Sequence, residues 1–349
     1  MTAAKPRLGF LGVGWIGRHR LEAIAATGAA EISGIADVSP DNAAAAREIA
    51  PRAARAETLD ALLALDLDGV VIATPSADHA AQSIRALDHG VAVFCQKPLG
   101  RNGAEVRAVL AAARRADRLL GVDLSYRFTE GMRRIADLIR GGELGRIHAV
   151  DLVFHNAYGP DKPWFYDPRL SGGGCVMDLG VHLVDLALWA LDFPTVATVD
   201  SALLAQGAPL ADRETQVEDY AVATLTLAGG TIVRLACSWR LQAGCEAMIS
   251  ASFYGDRGGA ALRNVDGSFY DFTAEHFRGT QRETLSTPSD AWGGRAAAAW
   301  ARRLAENPRF DADADHLASV SDALDRIYGA CDRGAVTRST PTLASVSSG

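Results

Sequence analysis

Residues 8–17, Leu8-Gly9-Phe10-Leu11-Gly12-Val13-Gly14-Trp15-Ile16-Gly17, run from an apolar stretch into a glycine pattern. Leu8–Val13 has the composition of a strand and Ile16–Thr27 the pattern of a helix, so the glycines fall at a strand-to-helix turn. Gly12 permits the tight turn, Gly14 lets a pyrophosphate approach the backbone, and Gly17 allows close helix–strand packing. The helix start, with Trp15 and Ile16, offers free N–H groups and a positive dipole end to phosphate. The next strand, Glu31–Ala36, leads into Asp37, twenty residues after Gly17, where a carboxylate on the adenosine ribose is expected. A carboxylate there accepts from two free hydroxyls and repels a 2′-phosphate. Val38-Ser39-Pro40 supplies no Arg or Lys to hold such a phosphate. NAD is therefore the expected cofactor, with NADP disfavoured. The alternative is that Asp37 only caps the following turn.

Outward from this motif, short apolar runs alternate with helical patterns. Helices are expected over Asp41–Ala50, Ser76–His89 and Gly103–Asp117, and strands over Gly69–Ala73, Val91–Cys95 and Leu119–Leu124. That alternation implies a parallel sheet with helices on both faces. After about residue 145 the texture changes. Residues 148–155 alternate in polarity, as do Asp219–Leu227 and Thr231–Trp239, which flank Ala228-Gly229-Gly230 as a hairpin. Glu246–Tyr254 reads as a further strand, Asp266-Gly267 as a turn, and about 294–306 and 313–332 as helices. The expected architecture is an α/β Rossmann dinucleotide-binding domain over 1–124, then an α+β substrate-binding and oligomerisation domain over 125–336. The latter has a large, mainly antiparallel open sheet. The Ser/Thr-rich tail 337–349 is either poorly ordered or returns to the first domain.

The bulk properties narrow the function classes. A chain of 349 residues with 48% hydrophobic content exceeds one ordinary core. A net charge of −7 without a basic run gives no footprint for nucleic acid. The five cysteines, Cys95, Cys175, Cys237, Cys245 and Cys331, form no Cys-x-x-Cys or Cys/His cluster, so neither a metal site nor a disulfide framework is expected. A reducing cytoplasm fits that usage. The glycine-broken N-terminal run is not a signal peptide, and no uninterrupted apolar stretch of about 20 residues predicts a membrane span.

Ligands of an open parallel sheet lie beyond the carboxyl ends of its strands. Two such ends carry chemistry: Thr74-Pro75, leading to His79, and Cys95-Gln96-Lys97-Pro98. Lys97 is the single lysine between Lys5 and Lys162. Burial can bring a lysine toward proton exchange near neutrality, whereas a surface position leaves it merely solvated. Farther on, residues 171–192 are apolar after a glycine run except for Asp178, His182, Asp185 and Asp192. At ~100° per residue the first three share one helix face, which either meets solvent or lines a polar cleft. Asn156, Tyr158, Trp164 and Tyr166 occupy a Pro- and aromatic-rich loop; they either contact a polyhydroxylated ring or pack the loop down.

Together, the glycine motif, Asp37, Thr74-Pro75 with His79, and Lys97-Pro98 resemble the Gfo/Idh/MocA oxidoreductases, the family of glucose–fructose oxidoreductase and inositol dehydrogenase. Asp178-Leu-Gly-Val-His182 is similar to that family's Asp-x-x-x-His motif, and Arg127-Phe128 to its Arg-Phe pair. The family's usual Glu-Lys-Pro stands here as Gln96-Lys97-Pro98, which drops one negative charge beside the lysine. The resemblance implies that His182 is the proton acceptor, that Asp178 positions the imidazole or a substrate hydroxyl, and that Lys97 binds the reacting oxygen. It implies further contacts to substrate from Arg127, and a homodimer or homotetramer. The expected function is NAD(H)-dependent oxidoreduction at a carbinol or carbonyl carbon of a sugar, inositol or cyclic polyol. A glycosidase or lyase using transient internal oxidation, and a non-catalytic cofactor sensor, are the alternatives.

Overall fold

Residues 4–336 are described by a computed structural model; the expected tail 337–349 lies outside them. Six strands, β1 (Arg7–Leu11), β2 (Glu31–Ala36), β3 (Ala54–Ala56), β4 (Gly69–Ile72), β5 (Ala92–Cys95) and β6 (Leu120–Val122), form a parallel sheet in the order β3-β2-β1-β4-β5-β6. Their apolar runs suit burial on both faces: every residue of β4 and β5 is buried. The crossovers carry α1 (Trp15–Thr27), α2 (Pro40–Ile49), α3 (Leu59–Leu63), α4 (Ser76–Asp88) and α5 (Gly103–Ala116). Several starts are capped as their sequences dictate: Ser39 accepts from Asn42 N, Thr58 from Ala61 N and Asn102 from Glu105 N. The order reverses between β1 and β4, which opens the ligand crevice of such folds above their carboxyl ends.

α6 (Glu130–Arg140) leads into a nine-stranded sheet. Its strands are β7 (Ile147–Asn156), β8 (Val196–Ala205), β9 (Ala208–Pro209), β10 (Tyr220–Leu227), β11 (Ile232–Ser238), β12 (Ala247–Gly255), β13 (Gly259–Asn264), β14 (Phe272–Arg278) and β15 (Gln281–Ser286). The spatial order is β15-β14-β13-β12-β7-β11-β10-β8-β9. All neighbours are antiparallel except β7 and β11, which run parallel in the middle. Both expected hairpins form, β10–β11 and β13–β14. Between β7 and β8 the chain adds α7 (Pro168–Ser171), a π-helical turn over Val176–Gly180 and α8 (Val181–Ala190). α8 and α10 (His316–Val336) cover one face of the sheet, where Leu183 and Leu324 share a core with Leu152 and Leu235. The segment 168–190 is long and apolar enough to span a bilayer, but it is 89% buried, so its apolarity belongs to this core.

One element departs from the expected division at residue 124. α9 (Arg295–Glu306) follows the second sheet in sequence yet packs against α1, β5 and β6. Its Trp300 lies 5.6 Å from Phe94. Gly69 and Gly121 make the socket: a Cβ on either would come within 2.8 or 2.7 Å of the indole. The first domain thus completes its core with residues almost two hundred positions beyond β6. Trp300→Ala should cost about 3–5 kcal/mol and lower the thermal midpoint. An unchanged midpoint by calorimetry would contradict this packing.

Candidate functional site

The glycine turn is sterically committed. Gly12 has φ 81°, and a Cβ there would lie 2.6 Å from the Ala73 carbonyl oxygen. A Cβ on Gly17 would lie 2.1 Å from the Gly12 carbonyl oxygen. At Gly14 the nearest atom is Asn42 Nδ2 at 3.9 Å, so this glycine borders open space. Asp37 braces the turn from β2: Oδ2 accepts from Val13 N at 2.6 Å and Oδ1 from Ser39 N at 2.8 Å. Asp37 thus caps both the glycine turn and the α2 entry. A carboxylate offers about four acceptor positions. Val13, Ser39 and the longer Asn42 contact at 3.4 Å take three.

A cleft of about 1360 Å³ runs from this turn to the second sheet. It exceeds the roughly 300–1,000 Å³ typical of one drug-sized ligand. Gly14, Trp15, Ile16, Gly17, Thr74 and Pro75 line it on one side, and Asn156, Tyr158 and Trp164 on the other, with Lys97, Asp178 and His182 also on its wall. Lys97 rises from the end of β5. Its Nζ donates to the carbonyl oxygen and to Oδ1 of Asp178, both at 2.7 Å, and the two side chains are only 19% and 15% exposed. The other oxygen, Asp178 Oδ2, accepts from Trp239 Nε1 at 3.0 Å. Asp178 thus positions the lysine, and no bond joins it to His182; the expectation that it positions the imidazole is corrected on this point.

His182 is 7% exposed, edge-on to Tyr126 at 4.8 Å, and its buried Nδ1 has no partner among the described residues. Burial, with Lys97 and then Arg20 nearby, holds its pKa well below 6.5, so the ring is neutral.

Glu218 secures the start of the segment. Its buried carboxylate accepts from Gly174 N at 3.0 Å, Val176 N at 2.9 Å and Tyr328 OH at 2.9 Å. Cys175 and Cys237, distant in sequence, meet beneath it at 3.8 Å between sulfurs.

Four expectations need correction. Asp185 does not share the cleft with Asp178 and His182. One turn beyond His182 on α8, Asp185 is buried against Arg127, whose Nε donates to Oδ2 at 2.7 Å. Arg127 is engaged by that pair and by stacking over Phe193 at 5.3 Å, and it is not among the residues that line the cleft. His79 is buried between two strand ends, Nδ1 2.6 Å from the Pro98 carbonyl oxygen and Nε2 2.7 Å from that of Thr74; burial lowers its pKa, so the neutral ring donates to one of the two. Gln96 likewise commits its amide internally: Oε1 accepts from Lys97 N at 2.8 Å and Nε2 donates to Asp123 Oδ2 at 3.0 Å.

Asp123 and Arg20 were missed. Arg20 Nε donates to Asp123 Oδ2 at 2.5 Å, and both side chains are buried, at 8% and 0% exposure. Asp123 directly follows β6, so the strand-end rule would have found it. Arg20 lies less than one turn beyond Gly17 and carried no local signal. Trp239 and Trp292 also line or support the cleft without a sequence pattern that marks them.

The glycine turn thus opens into a cleft whose wall also carries a cation, a carboxylate and a neutral imidazole. The profile of the oxidoreductase family with an NAD-binding Rossmann fold matches residues 7–124, and that of the GFO/IDH/MocA C-terminal domain matches 132–261. The chain belongs to the Gfo/Idh/MocA family. It is similar to D-glucoside 3-dehydrogenase of Escherichia coli, with 28% identity over 211 residues, 58% of this chain and 60% of that protein. Inositol 2-dehydrogenase of Rhizobium meliloti is 32% identical over 201 residues, 57% of this chain and 59% of its own length. The chain thus matches about three-fifths of the length of these curated relatives. In fold it resembles GenD2 from gentamicin A biosynthesis, solved with NAD, at a TM-score of 0.79 and 23% identity over 96% of both chains.

Gln96 is intelligible from its neighbours. The carboxylate of the family's Glu-Lys-Pro would stand within about 3 Å of Asp123, with Arg20 as the cation shared between two acids. Gln96→Glu should therefore raise the pKa of one of the two carboxyls in the folded state. A raised carboxyl pKa confers relative stability when protonated and loses it as pH rises through the folded value. The variant's thermal midpoint should lie below wild type at pH 8, with the deficit shrinking by pH 5. A midpoint equal to wild type at pH 8 would contradict the arrangement.

Proposed function

We propose that the chain is an NAD(H)-dependent dehydrogenase or reductase acting at a CH–OH or carbonyl carbon of a sugar, inositol or related cyclic polyol. The observation that carries this reading is the placement of Lys97, Asp178 and neutral His182 on the wall of the cleft that begins at the glycine turn. Gly12, Gly14 and Gly17, with Trp15 and Ile16, would hold the pyrophosphate, Asp37 the adenosine ribose, and Thr74 and Pro75 the wall beside the nicotinamide. His79 and Gln96 support that wall through Thr74, Pro98 and Lys97. When bound, the nicotinamide accepts or donates the hydride.

The side chains manage the proton and the oxygen. An ammonium has three donors, and Lys97 directs two at Asp178, which leaves one for the reacting oxygen. His182, kept neutral by burial and two neighbouring cations, accepts the hydroxyl proton during oxidation and returns it during reduction. Asn156, Tyr158 and Trp164 face the same space and suit a ring with polar edges and apolar faces. Val222, Ile232 and Met248, exposed on the second sheet, suit pairing of like subunits.

Lys97→Met should reduce kcat by at least about 10²-fold, and near-normal turnover would remove Lys97 from the mechanism. The acid limb of kcat/KM for oxidation should lie below pH 6.5, because the base is lost only when pH falls through the depressed His182 pKa. A limb centred above 6.5 that disappears in His182→Ala would overturn this environment. In equilibrium titration NADH should bind more tightly than NADPH, and Asp37→Ala should narrow the gap. Tighter NADPH binding by the wild type would refute the reading of Asp37.

A further inference from the structure

We propose, on the nicotinamide-dependent reading above, that Arg20 holds the carboxamide oxygen of the bound nicotinamide and so fixes which face of the ring meets Lys97 and His182.

Arg20 stands on the cleft wall, yet its charged side chain is only 8% exposed. A guanidinium carries five N–H donors and no acceptor. Two of them are spent inside the protein: Nε donates to Asp123 Oδ2 at 2.5 Å, and Nη1 to His19 Nδ1 at 2.9 Å. Nη2 has no hydrogen-bond partner among the described residues. A buried cation with unspent donors is costly unless a ligand accepts from them. The group is also held in place. Asp123 follows β6 and accepts a second bond from Gln96, the residue before Lys97, so the guanidinium is pinned to the strand ends that carry the lysine.

Position along the cleft selects the accepting group. Gly14, beside the pyrophosphate, precedes Arg20 by about 9 Å along the α1 axis. Asp37 follows β2 and Asp123 follows β6, four strand spacings or about 19 Å apart in the sheet, so the adenosine end is out of reach. Ile16, one turn before Arg20 on the same face of α1, lines the cleft with it. Burial first, then Lys97, and then Arg20 lower the His182 pKa, which sets the guanidinium beside the reactive centre. The nicotinamide end is what remains within reach. Its ring bears a single acceptor, the carboxamide oxygen, and a side chain made only of donors meets nothing else there. A half-turn of the ring about its ribose bond would carry that oxygen away and offer the other face of C4. A bond to Arg20 removes that freedom.

The test is calorimetric titration of the purified protein with NAD and with nicotinic acid adenine dinucleotide, in which a carboxylate replaces the carboxamide. The wild type should bind the acid at least as tightly as NAD. Arg20→Gln paired with Asp123→Asn removes the cation and its buried counter-charge together. The ratio of the two Kd values should then shift against the acid by about tenfold or more, the scale of one charge-assisted hydrogen bond. A merely structural role would weaken both dinucleotides alike and leave the ratio unmoved. Wild-type preference for NAD by tenfold or more, or an unchanged ratio in the double variant, would overturn the proposal. Failure of the underlying cofactor reading has a different signature: neither dinucleotide binds the wild type.

Discussion

The site depends on one bridge, the contact of Lys97 Nζ with the carboxylate and carbonyl of Asp178. It joins the end of a Rossmann strand to the apolar segment that covers the second sheet, across 81 positions of chain. Two largely buried charges are tolerable only when paired and hydrogen-bonded. The surrounding geometry reads as the means of keeping them so. Trp239 satisfies the second carboxylate oxygen, Gln96 takes the lysine backbone N–H, and His79 ties the Pro98 carbonyl to the Thr74 strand end. On the other side, Glu218 holds the N–H groups that precede Asp178. Loss of any of these would loosen the position of the Lys97 ammonium.

A second buried pair, Arg20 with Asp123, stands beside the first and sets the charge of the region. Gln96 connects the two, donating to Asp123 and accepting from Lys97 N. Two cations balance two carboxylates, and the neutral amide keeps that balance. Burial, reinforced by the positive charges of Lys97 and Arg20, keeps His182 unprotonated.

The parallel sheet, the hairpins and the phosphate turn were legible because each is written in local periodicity or in glycines whose Cβ would clash. Lys97, singled out by its strand-end position, and Asp178 and His182, singled out by the family resemblance, meet on the wall of one cleft. What escaped has physical reasons. Helical spacing groups Asp178, His182 and Asp185 but does not tell depth: Asp185, one turn beyond His182 on α8, pairs with Arg127 in the interior. Arg20, Trp239 and Glu218 act only through contacts made by distant segments, so their own neighbourhoods carry no pattern. α9 looked like part of the second domain because sequence order is no guide to a helix that returns to pack Trp300 into glycine sockets on the first sheet.

The central claim is tested most directly by following nicotinamide absorbance while the purified protein and NAD are offered a panel of sugars, glycosides and inositols. A substrate-dependent rise that is lost in His182→Ala, with cofactor affinity retained, is the predicted result. Tight NAD binding with no absorbance change across the panel would contradict it.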